Sequence, residues 1–183
     1  MIRDIKDDVK KVLYSEEQLA KRVKEMAEEI SKDYAGKDLL VVGILKGSVL
    51  FTSDLIKNIT IPCEIDFMAV SSYGNSAQTS GVVRILKDLD SDIENKHVLI
   101  VEDIVDTGTT LSYLLEYLKA RKANSINITT LLNKEARRKV DIDVKYVGFE
   151  VPDEFIVGYG IDYAEKYRNL PFIGILKPEV YER

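Results

Sequence analysis

From Val98 to Thr110 the chain reads VLIVEDIVDTGTT, and no other stretch narrows the possible folds as much. Val98-Leu99-Ile100-Val101 is a short, β-branched apolar run, the pattern of a strand buried on both faces. It runs into the adjacent acids Glu102 and Asp103, then a third acid, Asp106, then Thr107-Gly108-Thr109-Thr110. Leu111, Leu114, Leu115 and Leu118 follow at helical spacing. A buried strand, a tight polar turn and an amphipathic helix form one unit of a mainly parallel α/β sheet. In such sheets, ligands sit at the carboxyl ends of the strands, where this sequence gathers its acids and hydroxyls.

The rest of the chain repeats the alternation. Ser15-Glu16-Glu17-Gln18 reads as a capping box, followed by Leu19, Val23, Met26, Ala27 and Ile30 at helical spacing and closed by Gly36. Leu39 to Leu45 reads as a second buried strand, Val49 to Ile59 as a helix, and Glu64 to Ser72 as a strand. Val82 to Leu86 is its expected partner across a polar loop, Ser71 to Gly81. Short strands are expected at Ile126 to Leu132, Val144 to Phe149, Phe155 to Tyr159 and Phe172 to Leu176. The chain beyond Lys134 is rich in strand and loop, which suits a hood over the sheet edge.

With 183 residues, the chain fits one domain at a prior of about 150 residues per domain, and burial of roughly 70% of the unfolded surface needs no staple. One cysteine, Cys63, excludes an internal disulfide, and one histidine, His97, excludes the common zinc motifs. His97 opens a strand and Cys63 follows Pro62, so both read as structural. A net charge of -5 argues against nucleic acid or an anionic membrane as partner. The longest apolar run, Leu39 to Leu45, is far short of the ~20 residues a membrane span needs. Met1 to Lys10 is charged and lacks an apolar core, so no secretory signal is expected and the cytoplasm is the expected location.

Thr107 to Thr110 has the chemistry of a phosphate cradle. Backbone N–H groups converge at a helix start, hydroxyls add donors, and Gly108 removes a Cβ that would block approach. Carboxylates beside a phosphate site suit a ligand that also brings hydroxyls and a divalent cation. A ribose phosphate with Mg²⁺ satisfies both demands. Neither a P-loop nor a Gly-x-Gly-x-x-Gly fingerprint is present, so ATP hydrolysis and dinucleotide binding are unsupported.

At this point a family becomes legible. VLIVEDIVDTGTTL resembles the phosphoribosyl-pyrophosphate (PRPP) motif of the phosphoribosyltransferases. LKGS at Leu45 to Ser48, SSYG at Ser71 to Gly74, LLNKE at Leu131 to Glu135 and VPDEFIVGYGIDYAEKYRNLPFIG at Val151 to Gly174 resemble its hypoxanthine-guanine branch, in the family's order. The resemblance implies a type I phosphoribosyltransferase fold: a mainly parallel sheet flanked by helices, with a core at about residues 37–150 and a small hood subdomain from the terminal segments. It also implies transfer of 5-phosphoribosyl from PRPP to hypoxanthine or guanine with Mg²⁺ as cofactor, by a homodimer or homotetramer.

The resemblance distributes roles by residue. Glu102 and Asp103 would hold the ribose hydroxyls and the Mg²⁺ shell, and Thr107, Gly108, Thr109 and Thr110 would wrap the 5′-phosphate. Asp106 would be the proton acceptor beside purine N7. Lys46 and Gly47 would meet pyrophosphate, and Arg168 would grip it. Lys134 would donate to the 6-oxo group, which disfavours the 6-amino group of adenine. Phe155 would stack on the purine, Ile156 would meet it through its backbone, and Asp162 would contact a second Mg²⁺. Ser72 and Tyr73 would sit on a closing loop that excludes water. Taken without the family, a lysine after a strand is most often solvated and Phe155 is most often core. Two rival readings are a transferase for another base, such as xanthine, and a regulator of the same fold that binds nucleotide or RNA.

Overall fold

The computed structural model describes residues 4–72 and 83–182. Tyr73 and most of the expected closing loop lie outside the described residues. Six strands form the main sheet: β2 (Leu39–Leu45), β3 (Cys63–Ser72), β4 (Val83–Lys87), β5 (His97–Val105), β6 (Ser125–Asn133) and β7 (Tyr146–Glu150). Their spatial order is β4-β3-β2-β5-β6-β7, and every pair is parallel except β3 with β4. The central strand β2 and the Val98–Val101 stretch of β5 are continuous apolar runs, as burial on both faces requires.

Strand periodicity sorts their side chains onto two cores. On one face Leu39, Val41, Leu99, Val101 and Leu131 pack with Leu19, Val23, Met26, Ala27 and Ile30 of α1 (Glu16–Asp33) and with Phe51 and Leu55 of α2 (Val49–Asn58). On the other, Leu40, Val42, Ile44, Val98, Ile100 and Ile128 pack with Leu111, Leu114 and Leu118 of α3 (Thr109–Lys119). Each such side chain, fully buried, contributes roughly 1.5–3 kcal/mol. The capping box at Ser15 forms: its hydroxyl accepts from Gln18 N–H at 3.2 Å, and Gln18 Oε1 accepts from Ser15 N–H at 2.8 Å.

A second sheet joins the two ends of the chain. Strands β1 (Val9–Tyr14), β8 (Ile156–Val157) and β9 (Ile173–Leu176) pair in the order β1-β9-β8, all antiparallel, and α4 (Pro178–Tyr181) follows. β1 is absent from the sequence reading, because its partner lies near the other terminus. The strand expected over Phe155 to Tyr159 shrinks to Ile156–Val157, since Gly158 and Tyr159 turn back at positive φ. The acids Glu102 and Asp103 do not lie past the end of β5, as expected. Pairing with β6 continues through Glu102↔Thr130 to Val105↔Asn133, so both sit inside the strand's last turn of pleat. His97 does open β5, and its Nδ1 shares a 2.7 Å hydrogen bond with Ser125 Oγ. Cys63 opens β3 half-buried, and burial pushes its thiol up, away from nucleophile chemistry. Among the described residues, no helix is long and apolar enough to cross a membrane.

Candidate active site

The carboxyl ends of β2 and β5 and the start of α3 enclose a pocket of about 240 Å³. Its lining includes Gly47, Glu102, Asp103, Asp106, Thr107, Gly108 and Thr110. Gly108 caps α3 at φ +83°, in the left-handed region that glycine tolerates, and is buried. A Cβ there would lie 2.9 Å from Ile142 Cδ1 and 3.3 Å from Val140 O. Lys139 N–H donates to Thr107 O at 2.9 Å, which ties the loop to the segment after β6. The first turn of α3 therefore faces the pocket with backbone donors and threonine hydroxyls, a setting for an anion.

Glu102 and Asp103 line the same pocket as adjacent acids. Desolvation, and then the neighbouring Asp103 charge, raise the Glu102 carboxyl well above its ordinary range. Desolvation also raises Asp103, against the 2.6 Å bond its Oδ1 accepts from Ile104 N–H. Two adjacent carboxylates with raised affinity for protons are also prepared for hydroxyl donors or a cation. Gly47 closes against them so tightly that a Cβ would overlap the Asp103 carboxylate. From the other side, a Cβ on Gly160 would strike Gly47 O, and Gly160 sits at φ +99°. The Leu45–Lys46 peptide bond is cis.

Beyond Gly47 lies a charged cluster. Lys46 Nζ is 2.9 Å from Glu165 Oε2, and Arg168 Nη2 is 3.2 Å from Glu165 Oε1 and 3.1 Å from Asp162 Oδ1. Arg168 Nη1 donates to Gly160 O at 2.8 Å, while its buried Nε has no hydrogen-bond partner among the described residues. Lys46, first, and then Arg168 hold the Glu165 carboxyl below its usual range.

A second pocket, of about 450 Å³, adjoins the first. Ile104, Asp106, Lys134, Arg137, Phe155 and Tyr181 are among its walls. Lys134 is 6% exposed, and its Nζ donates to Glu154 O at 3.0 Å. Phe155 is 47% exposed and stacks on Tyr181 with ring centroids 4.0 Å apart. Ile156 is buried beside them, paired with Ile175. Asp106 and Ile104 belong to both pockets. Asp106 Oδ1 is buried with no hydrogen-bond partner among the described residues, and Arg137 Nη1 lies 3.8 Å from Oδ2. A polar, phosphate-type cradle and a flat pocket with an aromatic wall thus meet at one carboxylate.

The model of the Phosphoribosyl transferase domain matches residues 10–164, most of the chain. The Hypoxanthine-guanine phosphoribosyltransferase of Bacillus subtilis (strain 168) is 57% identical over 178 residues, covering 97% of this chain and 99% of that protein. The chain belongs to the hypoxanthine-guanine phosphoribosyltransferase family. A Staphylococcus aureus member of the family (strain Mu50 / ATCC 700699) is 58% identical over 96% of this chain and 98% of its own. A crystal structure of a Hypoxanthine Phosphoribosyltransferase from the same species superposes with a TM-score of 0.96 at 56% identity, covering 100% of both chains. One from Bacillus anthracis gives 0.88 at 51%, covering 92% of this chain and 99% of that one.

Within this phosphoribosyltransferase, Glu102, Asp103, Thr107, Gly108 and Thr110 line one pocket, and Lys134, Phe155 and Ile156 line the other. Thr109 lies at the first turn of α3 without lining the pocket. Lys46, Asp162 and Arg168 form the adjoining charged cluster. Of the expected metal ligands, Glu102 and Asp103 line the first pocket, while Asp162 lies in the charged cluster with its Oδ1 3.1 Å from Arg168 Nη2. Ser72 contributes backbone pairing at the end of β3, opposite Val83. Arg137, Glu165 and Tyr181 join the site unannounced. Each sits in a charged or loop-rich stretch where local pattern carries no signal, and only the fold brings it to the pocket.

Proposed function

We propose that the chain transfers the 5-phosphoribosyl group of PRPP to N9 of hypoxanthine or guanine, giving IMP or GMP and pyrophosphate. One observation carries the reading: the phosphate cradle and the flat pocket share Asp106, so a ribose phosphate and a base seated in them would meet there. The C1′–O bond to pyrophosphate breaks as the C1′–N9 bond forms. Asp106 accepts the proton from purine N7, and its buried Oδ1, without a partner among the described residues, supports this role. Lys134 Nζ donates to the 6-oxo group, held near its place by Glu154 O. Phe155 offers its exposed face to the purine ring, and the backbone of Ile156 meets the base edge. Thr107 to Thr110 hold the 5′-phosphate, while Glu102 and Asp103 accept from the ribose hydroxyls. Lys46, Gly47 and Arg168 orient the pyrophosphate.

The donor set fits Mg²⁺. This ion is ordinarily held by one or two carboxylates together with substrate phosphates, and the adjacent Glu102 and Asp103 line the phosphate-type pocket. Glu102 and Asp103 would hold one ion, and Asp162 a second. When bound, Mg²⁺ supplies neutralisation of the leaving pyrophosphate. We further propose a core of residues 37–150 with a hood from the terminal segments, which the β1-β9-β8 sheet supports, a homodimer or homotetramer, and action in the cytoplasm.

The test is a base panel. Protein, PRPP and Mg²⁺ are mixed separately with hypoxanthine, guanine, xanthine, adenine and uracil, and pyrophosphate is followed. Release with hypoxanthine or guanine, absent with adenine and uracil and abolished by EDTA, is expected. Release only with another base would overturn the roles of Lys134 and Phe155.

A further inference from the structure

We propose that Glu165 is a resident anion that occupies the cation pair Lys46 and Arg168 until the pyrophosphate group displaces it. The inference rests on the reading of these two cations as the pyrophosphate grip. Each oxygen of the Glu165 carboxylate takes a different cation, Oε2 with Lys46 at 2.9 Å and Oε1 with Arg168 at 3.2 Å. The pair comes from separate parts of the chain, the loop after β2 and the hood segment, and one carboxylate bridges them. A diphosphate bridging the same two cations would bring its oxygens into the space of that carboxylate. Both anions need the same donors and the same space, so they exclude each other.

The local build suits an exchangeable side chain on a fixed stem. Glu165 N–H donates to Asp162 Oδ2 at 2.8 Å, and Tyr163 and Lys166 exchange backbone bonds of 3.1 and 3.0 Å around it. Ala164 and Glu165 are held at φ +50° and +62°, a left-handed turn that ordinary residues avoid. The turn thus points Glu165 at the cations at some backbone cost. Its side chain is nevertheless 66% exposed, and that of Lys46 is 68% exposed. Such pairs are weak and screened, so the carboxylate can leave. Arg168 keeps two other anchors when it does, Gly160 O at 2.8 Å and Asp162 Oδ1 at 3.1 Å. Among the described residues, Glu165 is the side-chain partner of Lys46, and without it the ammonium would be uncontested.

An exposed ion pair contributes up to about fivefold in an equilibrium, so removing both should tighten anion binding by about threefold to tenfold. The experiment is calorimetric titration of inorganic pyrophosphate with Mg²⁺ into the wild type, Glu165→Gln and Glu165→Ala at low and high salt. We expect Kd to fall in both variants by that factor, the difference to shrink at high salt, and KM to fall for PRPP but not for hypoxanthine. In a Lys46→Gln background, the gain from Glu165→Gln should shrink, which a merely structural role for the turn would not produce. Unchanged or weaker pyrophosphate binding in both variants, with the wild type binding normally, overturns this inference alone. A wild type that binds no pyrophosphate overturns it together with the reading of Lys46 and Arg168.

Discussion

Replacing Gly47 with alanine tests the geometry of the loop after β2 directly. Gly47 is not among the positive-φ glycines, so alanine meets no backbone penalty there, and the whole cost is contact. The new methyl would overlap the Asp103 carboxylate, which is held by its 2.6 Å bond from Ile104 N–H. The loop cannot withdraw, because Gly160 already packs against Gly47 O. Overpacking of this kind costs about 1–3 kcal/mol. If Asp103 yields instead, it loses a charge-assisted hydrogen bond of about 1.5–3 kcal/mol. Either route lowers Tm by roughly 2–4 °C per kcal/mol in a chain of this size, hence by several degrees. The displaced Asp103 or loop should also weaken PRPP binding by about tenfold or more, since 1.4 kcal/mol is a factor of ten. Scanning calorimetry reads the first effect and titration with PRPP and Mg²⁺ the second. Gly47→Ala combined with Gly160→Ala should be non-additive, because both strain one loop. A Gly47→Ala protein with native Tm and native PRPP affinity would refute the close approach of Gly47 to Asp103.

Three further outcomes follow from the same structure. Asp106→Ala should cut kcat by about 10²–10⁴ while Tm stays near wild type, since Asp106 Oδ1 bonds no protein group among the described residues; full turnover would remove Asp106 from the mechanism. Lys134→Met leaves Glu154 O without its donor and should raise KM for hypoxanthine by about 10-fold to 100-fold, narrowing the preference over adenine in the base panel. At Asp66, burial opposes the charge, but the N–H groups of Asp90 and Phe67 and the Lys87 ammonium outweigh it and hold the carboxyl below its usual value. A lowered folded value means its stabilisation is complete above about pH 5 and lost as pH falls through and below about 3.9, so Asp66→Asn should flatten the acid limb of a urea-stability profile. An acid limb as steep as that of the wild type would contradict the assignment.

What could be read from the amino-acid order is what is encoded locally. The capping box at Ser15 and Gln18 forms because cap and helix are contiguous. The runs Leu39 to Leu45 and Val98 to Val101 become central strands because continuous β-branched apolar stretches of that length are buried on both faces. Gly108 and its threonines form the cradle because strand, turn and helix succeed one another without interruption. Tertiary structure alone decided the rest. Pairing of β1 with β9 depends on residues near opposite ends of the chain, and the charged β1 shows no apolar run to announce it. Glu102 and Asp103 remain inside β5 because β6 supplies hydrogen-bond partners as far as Asn133, which acids alone would not suggest. Glu165 meets Lys46, Tyr181 meets Phe155, and Arg137 approaches Asp106 only after the segments following β6 and β7 pack against the carboxyl ends of the central strands. Helical and strand periods are properties of neighbouring residues and survive in one dimension. The encounter of two charged or aromatic side chains from distant segments is set by the summed packing of everything between them.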